Sequence, residues 1–182
     1  MSGLEAIREC LPDAARDIKL NLQAVMQVAT LSGAQRYGVA IATAASARDT
    51  VLRDALITDA RREVEPGVIE DAIAAAALMS MTNVYYRFRH LVGKPGYGEM
   101  PARLRMNRLA NPAANKLDFE LFALAVSAVN GCETCVKAHE RVLVSGGMTE
   151  EQIHDAVRIA AVVHATACAR LAPATSASEA AA

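Results

Sequence analysis

Tryptophan is absent from this chain, aromatic residues make up only 4% of it, and basic and acidic side chains nearly cancel to a formal net charge of −1. Without large rings, the core must be built from Ala, Leu, Val, Ile and Met. A hydrophobic fraction of 53% made that way favours closely packed helices over sheets. The balanced charge leaves no electrostatic footprint for nucleic acid. Long apolar runs are missing too. Residues 1–10 mix charge with apolar side chains and offer no signal-peptide stretch. The Ala-rich run 72–81 is soon broken by Asn83, Arg87 and Arg89, short of the roughly 20 apolar residues of a membrane span. The expectation is a soluble cytoplasmic protein that makes no use of a membrane. Cysteine is sparse, with four residues in 182, and a chain of this length can bury a core without disulfide or metal staples. In a reducing compartment, a Cys-x-x-Cys pair then reads as catalytic or metal-binding rather than structural.

Periodicity gives helices nearly throughout, so the expected class is all-α, in a single domain spanning 1–182. Apolar positions at Ala15, Ile18, Leu22, Val25, Met26 and Ala29 predict a helix over 14–30 that ends near Ser32-Gly33. Further helices fit 34–46, 50–62 and 68–92. The Gly- and Pro-rich stretch 93–101 reads as the main connector. A short helix is expected near 101–110, then an apolar one from Phe119 to about Val129, stopped by Asn130-Gly131. The next helix starts at Cys132 and ends at Ser145-Gly146-Gly147. Thr149 and Gln152 have the capping-box spacing that opens a final helix to about Leu171, and the tail 173–182 should fray.

The chain also aligns with itself, residues 34–92 on 119–171. Residues 37–44 lie on 122–129 at an offset of 85, and 68–73 on 152–157 at 84. At the first offset, Cys132, Cys135 and His139 face Ala47, Thr50 and Asp54, so any chemistry belongs to the second copy alone.

Cys132, Cys135 and His139 follow one another at one-turn spacing along a helix start. The reactive form of a thiol is the thiolate, which both a helix N-terminus and a nearby imidazole favour. Cys132 is nearer the helix start, whereas Cys135 has His139 at i+4. Cleaving a peroxide also requires protonating the departing oxygen, which favours Cys135 as the attacking sulfur and Cys132 as the thiol that resolves its sulfenic acid. Glu120, on the preceding helix folded back by the Asn130-Gly131 turn, is the candidate carboxylate to orient the imidazole. Glu133 and Glu140 read as solvated charges. Zinc held by Cys132, Cys135 and His139 is the competing reading, with Cys168 or His164 as a fourth ligand, although neither has local ligand spacing. Thioredoxin-like chemistry is disfavoured because a helix, not a strand, precedes the pair. Cys10, Cys168, His154 and His164 read as structural, and the Met79-Ser80-Met81 segment as core.

Several segments together resemble the AhpD alkyl hydroperoxidase family: 17–22, 81–87, 104–107, Phe119-Glu120-Leu121, 125–132, Cys135, and Ala138-His139-Glu140. The match runs from about residue 4 to residue 171. The resemblance implies a helical fold shared with carboxymuconolactone decarboxylases, with two similar halves, the active dithiol in the second, and a homotrimer. It implies an antioxidant peroxidase for organic hydroperoxides with no bound cofactor. Electrons would come from the dihydrolipoyl groups of a lipoylated acyltransferase, recharged from NADH by lipoamide dehydrogenase, and the protein would support regeneration of an AhpC-type peroxiredoxin. By position, Cys135 matches the sulfenic-acid cysteine, Cys132 the resolving and partner-exchanging one, His139 the relay histidine and Glu120 the relay carboxylate. The family pattern has a histidine just before the second cysteine, where this chain has Thr134, which cannot shuttle a proton at neutral pH. A dithiol adaptor without peroxidase activity and a decarboxylase-like enzyme remain as alternatives.

Overall fold

The computed structural model describes residues 2–171, and every regular element among them is helical. The elements are α1 (Gly3–Glu9), α2 (Arg16–Val25), α3 (Gly33–Ser46), α4 (Thr50–Ala60), α5 (Pro66–Val92), α6 (Pro95–Glu99), α7 (Asn107–Ala110), α8 (Lys116–Val129), α9 (Glu133–Ser145) and α10 (Glu150–Arg170). The tail expected to fray from Pro173 lies outside the described residues.

Two helices form the centre. Gly38 to Ala44 of α3 and Phe119 to Ser127 of α8 are buried without interruption, because these stretches are apolar except at Thr43, Glu120 and Ser127. Phe119, Phe122, Ile41 and Leu124 are among the fully enclosed side chains between them. Each such side chain is worth about 1.5–3 kcal/mol of burial. The two central helices pack against each other and against α5 and α10, and α9 packs on α8. The shell places α5 alongside the turn that leads into α9.

Some boundaries differ from the sequence expectation. The helix expected over 14–30 stops at Val25, and the loop that follows is held by the Arg36 guanidinium, which donates to the carbonyls of Val28 and Leu31 at 3.2 and 2.5 Å. Ser32, expected as a terminator, is the N-cap of α3, in a capping box with Gln35. The connector 93–101 contains α6, opened by Pro95 at its first position, where the missing N–H costs nothing. The helix near 101–110 shrinks to Asn107–Ala110, since Arg103 adopts a left-handed φ of +50°. The expectation that no segment approaches spanning length is corrected for α5. By length and composition it is the one helix among the described residues able to cross a membrane, with 44% of its apolar window buried inside the fold.

Helices α3, α4 and α5 are repeated in order by α8, α9 and α10, and α4 and α9 start 83 residues apart. That register corrects the offset of 85. The residues standing at the places of Glu120, Cys132, Cys135 and His139 are Tyr37, Asp49, Leu52 and Leu56, rather than Ala47, Thr50 and Asp54 for the last three. Leu52 and Leu56 are fully buried. The Tyr37 hydroxyl donates to Glu63, and burial, then Glu63, pushes its pKa up to about 12. The places of Cys135 and His139 are thus filled in the first half by packing side chains.

Buried aspartates tie the helices together in a reciprocal way. Asp71 on α5 accepts from the backbone N–H groups of Ala113 and Ala114, each at 2.8 Å, just ahead of α8. Asp155 on α10 accepts from the Thr30 hydroxyl at 2.6 Å, just ahead of α3. The Thr30 bond, then Arg158, holds the Asp155 carboxyl below its usual range despite burial. Asp71 is 1% exposed and also pairs with Arg108 at 2.9 Å. Asp71→Asn, which replaces one acceptor oxygen by a donor and removes the charge, should destabilise the protein by about 2 kcal/mol. Urea denaturation checks this through a lower midpoint at unchanged slope.

Candidate active site

Helix α8 ends at Val129, Asn130 closes its last turn, and Gly131 turns the chain at a left-handed φ of +66°. No atom lies within 4 Å of where a Cβ on Gly131 would stand, so glycine is needed there for its conformation, not for space. Cys132 follows as the N-cap of α9, its N–H held by the Ser127 carbonyl at 3.1 Å. N-caps commonly supply a side-chain oxygen to the helix. This one supplies a sulfur and makes no cap bond, leaving the thiol at the positive end of the helix. Cys132 and Cys135 are joined as a disulfide, with their Cα atoms 5.3 Å apart.

One turn further along α9, His139 Nδ1 lies 2.5 Å from Glu120 Oε2. The pair is buried, with His139 8% and Glu120 6% exposed. Glu120 reaches the imidazole across the α8–α9 hairpin, a separation of 19 residues. The two nearer glutamates are elsewhere. Glu140 is exposed, and Glu133 pairs with Lys137 and with His90, the latter at 3.2 Å. The Lys137 contact, then its charge and that of His90, holds the Glu133 carboxyl below its usual range.

Cys135 and His139 line a cavity of about 250 Å³ whose other walls are mostly apolar: Met79 and Tyr86 from α5, Met106, and Leu109 from α7. Thr134 also lines it, exposed at the rim, while Cys132 is completely enclosed and does not. The two sulfurs therefore differ. The oxidised pair presents Cys135 to the cavity and keeps Cys132 behind it. Met79, read from sequence as core, is both core and cavity wall. Tyr86, Met106 and Leu109 were not singled out in the sequence as site residues. The only available signal was that Tyr86 and Met106 fall within the segments that carry the family resemblance.

Beneath the turn lies a chain of side-chain bonds. The Asn130 amide donates to Asn83 Oδ1 and the Asn83 amide to Ser127 Oγ, both at 2.9 Å, while the Arg87 guanidinium donates to the Asn130 carbonyl. Helix α5 thereby holds Asn130, two residues before Cys132, and supplies one wall of the cavity. Among the described residues, no group of three or more His, Cys, Asp and Glu side chains is gathered to hold a metal ion. Cys168 and His164, considered as a fourth zinc ligand, face each other at 3.8 Å on α10. The arrangement can run thiol–disulfide chemistry next to an apolar pocket, with an oriented imidazole to carry a proton.

Comparison with known proteins agrees in kind. Residues 95–176 match the model of the carboxymuconolactone decarboxylase family. Curated relatives named alkyl hydroperoxide reductase AhpD match nearly end to end. The protein from Anaeromyxobacter dehalogenans strain 2CP-C is 72% identical over 93% of this chain and 91% of its own length. Those from Rhodospirillum centenum and Brucella abortus strain 2308 are 47% and 44% identical, over 91% and 92% of this chain and 89% and 95% of their own lengths.

Proposed function

Because the chain belongs to the AhpD alkyl hydroperoxide reductase family, we propose that it reduces organic hydroperoxides with the Cys132/Cys135 dithiol. The observation that carries this reading is the division at the site: Cys135 opens onto an apolar cavity, and an imidazole oriented by a buried carboxylate stands one turn away. With Nδ1–H engaged by Glu120, a neutral His139 ring holds its lone pair on Nε2. It takes the proton of the Cys135 thiol. The thiolate attacks the peroxide's outer oxygen, the O–O bond breaks, and the proton returns to the departing alkoxide, leaving an alcohol and a Cys135 sulfenic acid. Cys132 then displaces water from that sulfenic acid and forms the disulfide.

The reductant in this reading is the dihydrolipoyl group of a lipoylated acyltransferase. Its two thiols pass two electrons to the disulfide and become the lipoyl disulfide, which lipoamide dehydrogenase reduces with NADH. Exchange at the enclosed Cys132 requires the Asn130-Gly131 turn to open. The protein works in the cytoplasm as a homotrimer with no bound cofactor, and supports regeneration of an AhpC-type peroxiredoxin. The test is dihydrolipoamide-dependent turnover of cumene hydroperoxide. His139→Gln and Glu120→Gln should each lower kcat by about 10²–10⁴, the range lost with a general acid–base group, while leaving Cys132 and Cys135 able to form their disulfide. Wild-type protein whose dithiol is oxidised by the peroxide but is not re-reduced by dihydrolipoamide would reject the lipoyl reading.

A further inference from the structure

The turn between α3 and α4 is built like the turn between α8 and α9, but from a different residue. Each holds one position in the left-handed region, Gly131 at φ +66° and Arg48 at φ +63°, 83 residues apart as the helices that follow them are. Glycine is at ease there, whereas an arginine is strained and has no short polar group to compensate locally. Strain retained where glycine would fit better points to a use for the side chain.

Arg48 lines a small cavity of about 130 Å³ with Ser46, Ser80, Asn83, Val84, Arg87 and Asn130. Two arginines from separate parts of the fold thus border one cavity. Among the described residues neither has a carboxylate partner. Asp49, next to Arg48, is held by Arg170 Nε at 2.7 Å, and Arg87 spends one donor on the Asn130 carbonyl. Like charges facing one cavity repel, and an anion between them turns that cost into attraction.

We propose that this cavity binds one small oxoanion of the phosphate or sulfate class, bridged between Arg48 and Arg87. The volume suits a single tetrahedral group. The site shares no lining residue with the apolar cavity, yet Arg87, Asn83 and Asn130 belong to the chain of bonds that fixes the turn before Cys132. A bound anion therefore steadies that turn.

Inorganic phosphate, titrated into the oxidised full-length protein at constant ionic strength with chloride, tests this without reading peroxidase activity. Wild type should show a saturable rise in melting temperature and slower hydrogen exchange at Gly131 and Cys132. Arg48→Gly should melt above wild type in phosphate-free buffer, because the left-handed strain is gone, and bind phosphate about tenfold or more weakly. Arg87→Gln should weaken binding similarly. The proposal is overturned by no saturable rise in wild type, by an equal rise in wild type and Arg48→Gly, which would be general salt stabilisation, or by Arg48→Gly melting below wild type.

Discussion

Cys135→Ser should abolish peroxide turnover, whereas Cys132→Ser should still carry out one oxidation per chain and then stop. The two variants remove chemically identical groups three residues apart, so the contrast rests on placement alone. Cys135 lines the apolar cavity with His139, while Cys132 is enclosed at the N-cap of α9. A serine hydroxyl at position 135 is too weak a nucleophile for the O–O bond even with the imidazole beside it, so alcohol production should fall to the uncatalysed background. In Cys132→Ser the first step is intact. One equivalent of alcohol should form per chain, and the sulfenic acid, with no thiol to resolve it, should persist and be trapped on Cys135 by dimedone. Single-turnover alcohol analysis and peptide mass mapping check both. Turnover surviving in Cys135→Ser, or the label found on Cys132 in wild type, would assign the attack to the wrong sulfur.

Gly38→Ala should destabilise the protein by about 3 kcal/mol, the upper end of overpacking costs. A Cβ at position 38 would stand 2.0 Å from Cζ and 2.2 Å from Cε1 of Phe122, a ring that is itself 1% exposed and has no room to withdraw. The two residues meet where the central helices α3 and α8 cross, so relief requires those helices to part. Because Glu120 lies two residues before Phe122 on α8, the same displacement should weaken the Glu120–His139 contact and lower kcat together with the melting temperature. Phe122→Leu in the Gly38→Ala background should recover part of the loss, since the smaller side chain vacates the space. A Gly38→Ala protein as stable as wild type, or a double variant whose losses simply add, would remove the close approach as the reason for glycine at this position.

The helical class was legible because its signal is local. A stripe of small aliphatic residues, the Thr149–Gln152 capping box and the Asn130-Gly131 stop can each be read within a few residues, and α10 and the α8–α9 turn follow them closely. Reading failed at helix ends, where the backbone leaves the helix without a Gly or Pro to mark it. Past Val25 the chain leaves the helix for a loop that Arg36 holds by the Val28 and Leu31 carbonyls, and a left-handed Arg103 shortens the helix expected near 101–110. Register between the halves failed for a related reason. Alanine-rich helices align about equally well at 83 and 85, and only the observed helix starts distinguish Asp49 from Ala47 as the residue opposite Cys132.

By itself, the sequence determined that two thiols and an imidazole share the first turns of one helix. Spacing of three and four residues is a covalent property of the chain once it is helical. It also determined that the helix entering that turn carries a carboxylate near its start. What only the tertiary structure decided is which sulfur faces a cavity, what walls that cavity, and whether the carboxylate touches the ring. Met79 and Tyr86 reach Cys135 from α5, roughly fifty residues away, and Glu120 reaches His139 only because α8 and α9 lie antiparallel. Such contacts depend on how whole helices pack, and packing is set by the volumes of all the buried residues together rather than by any motif.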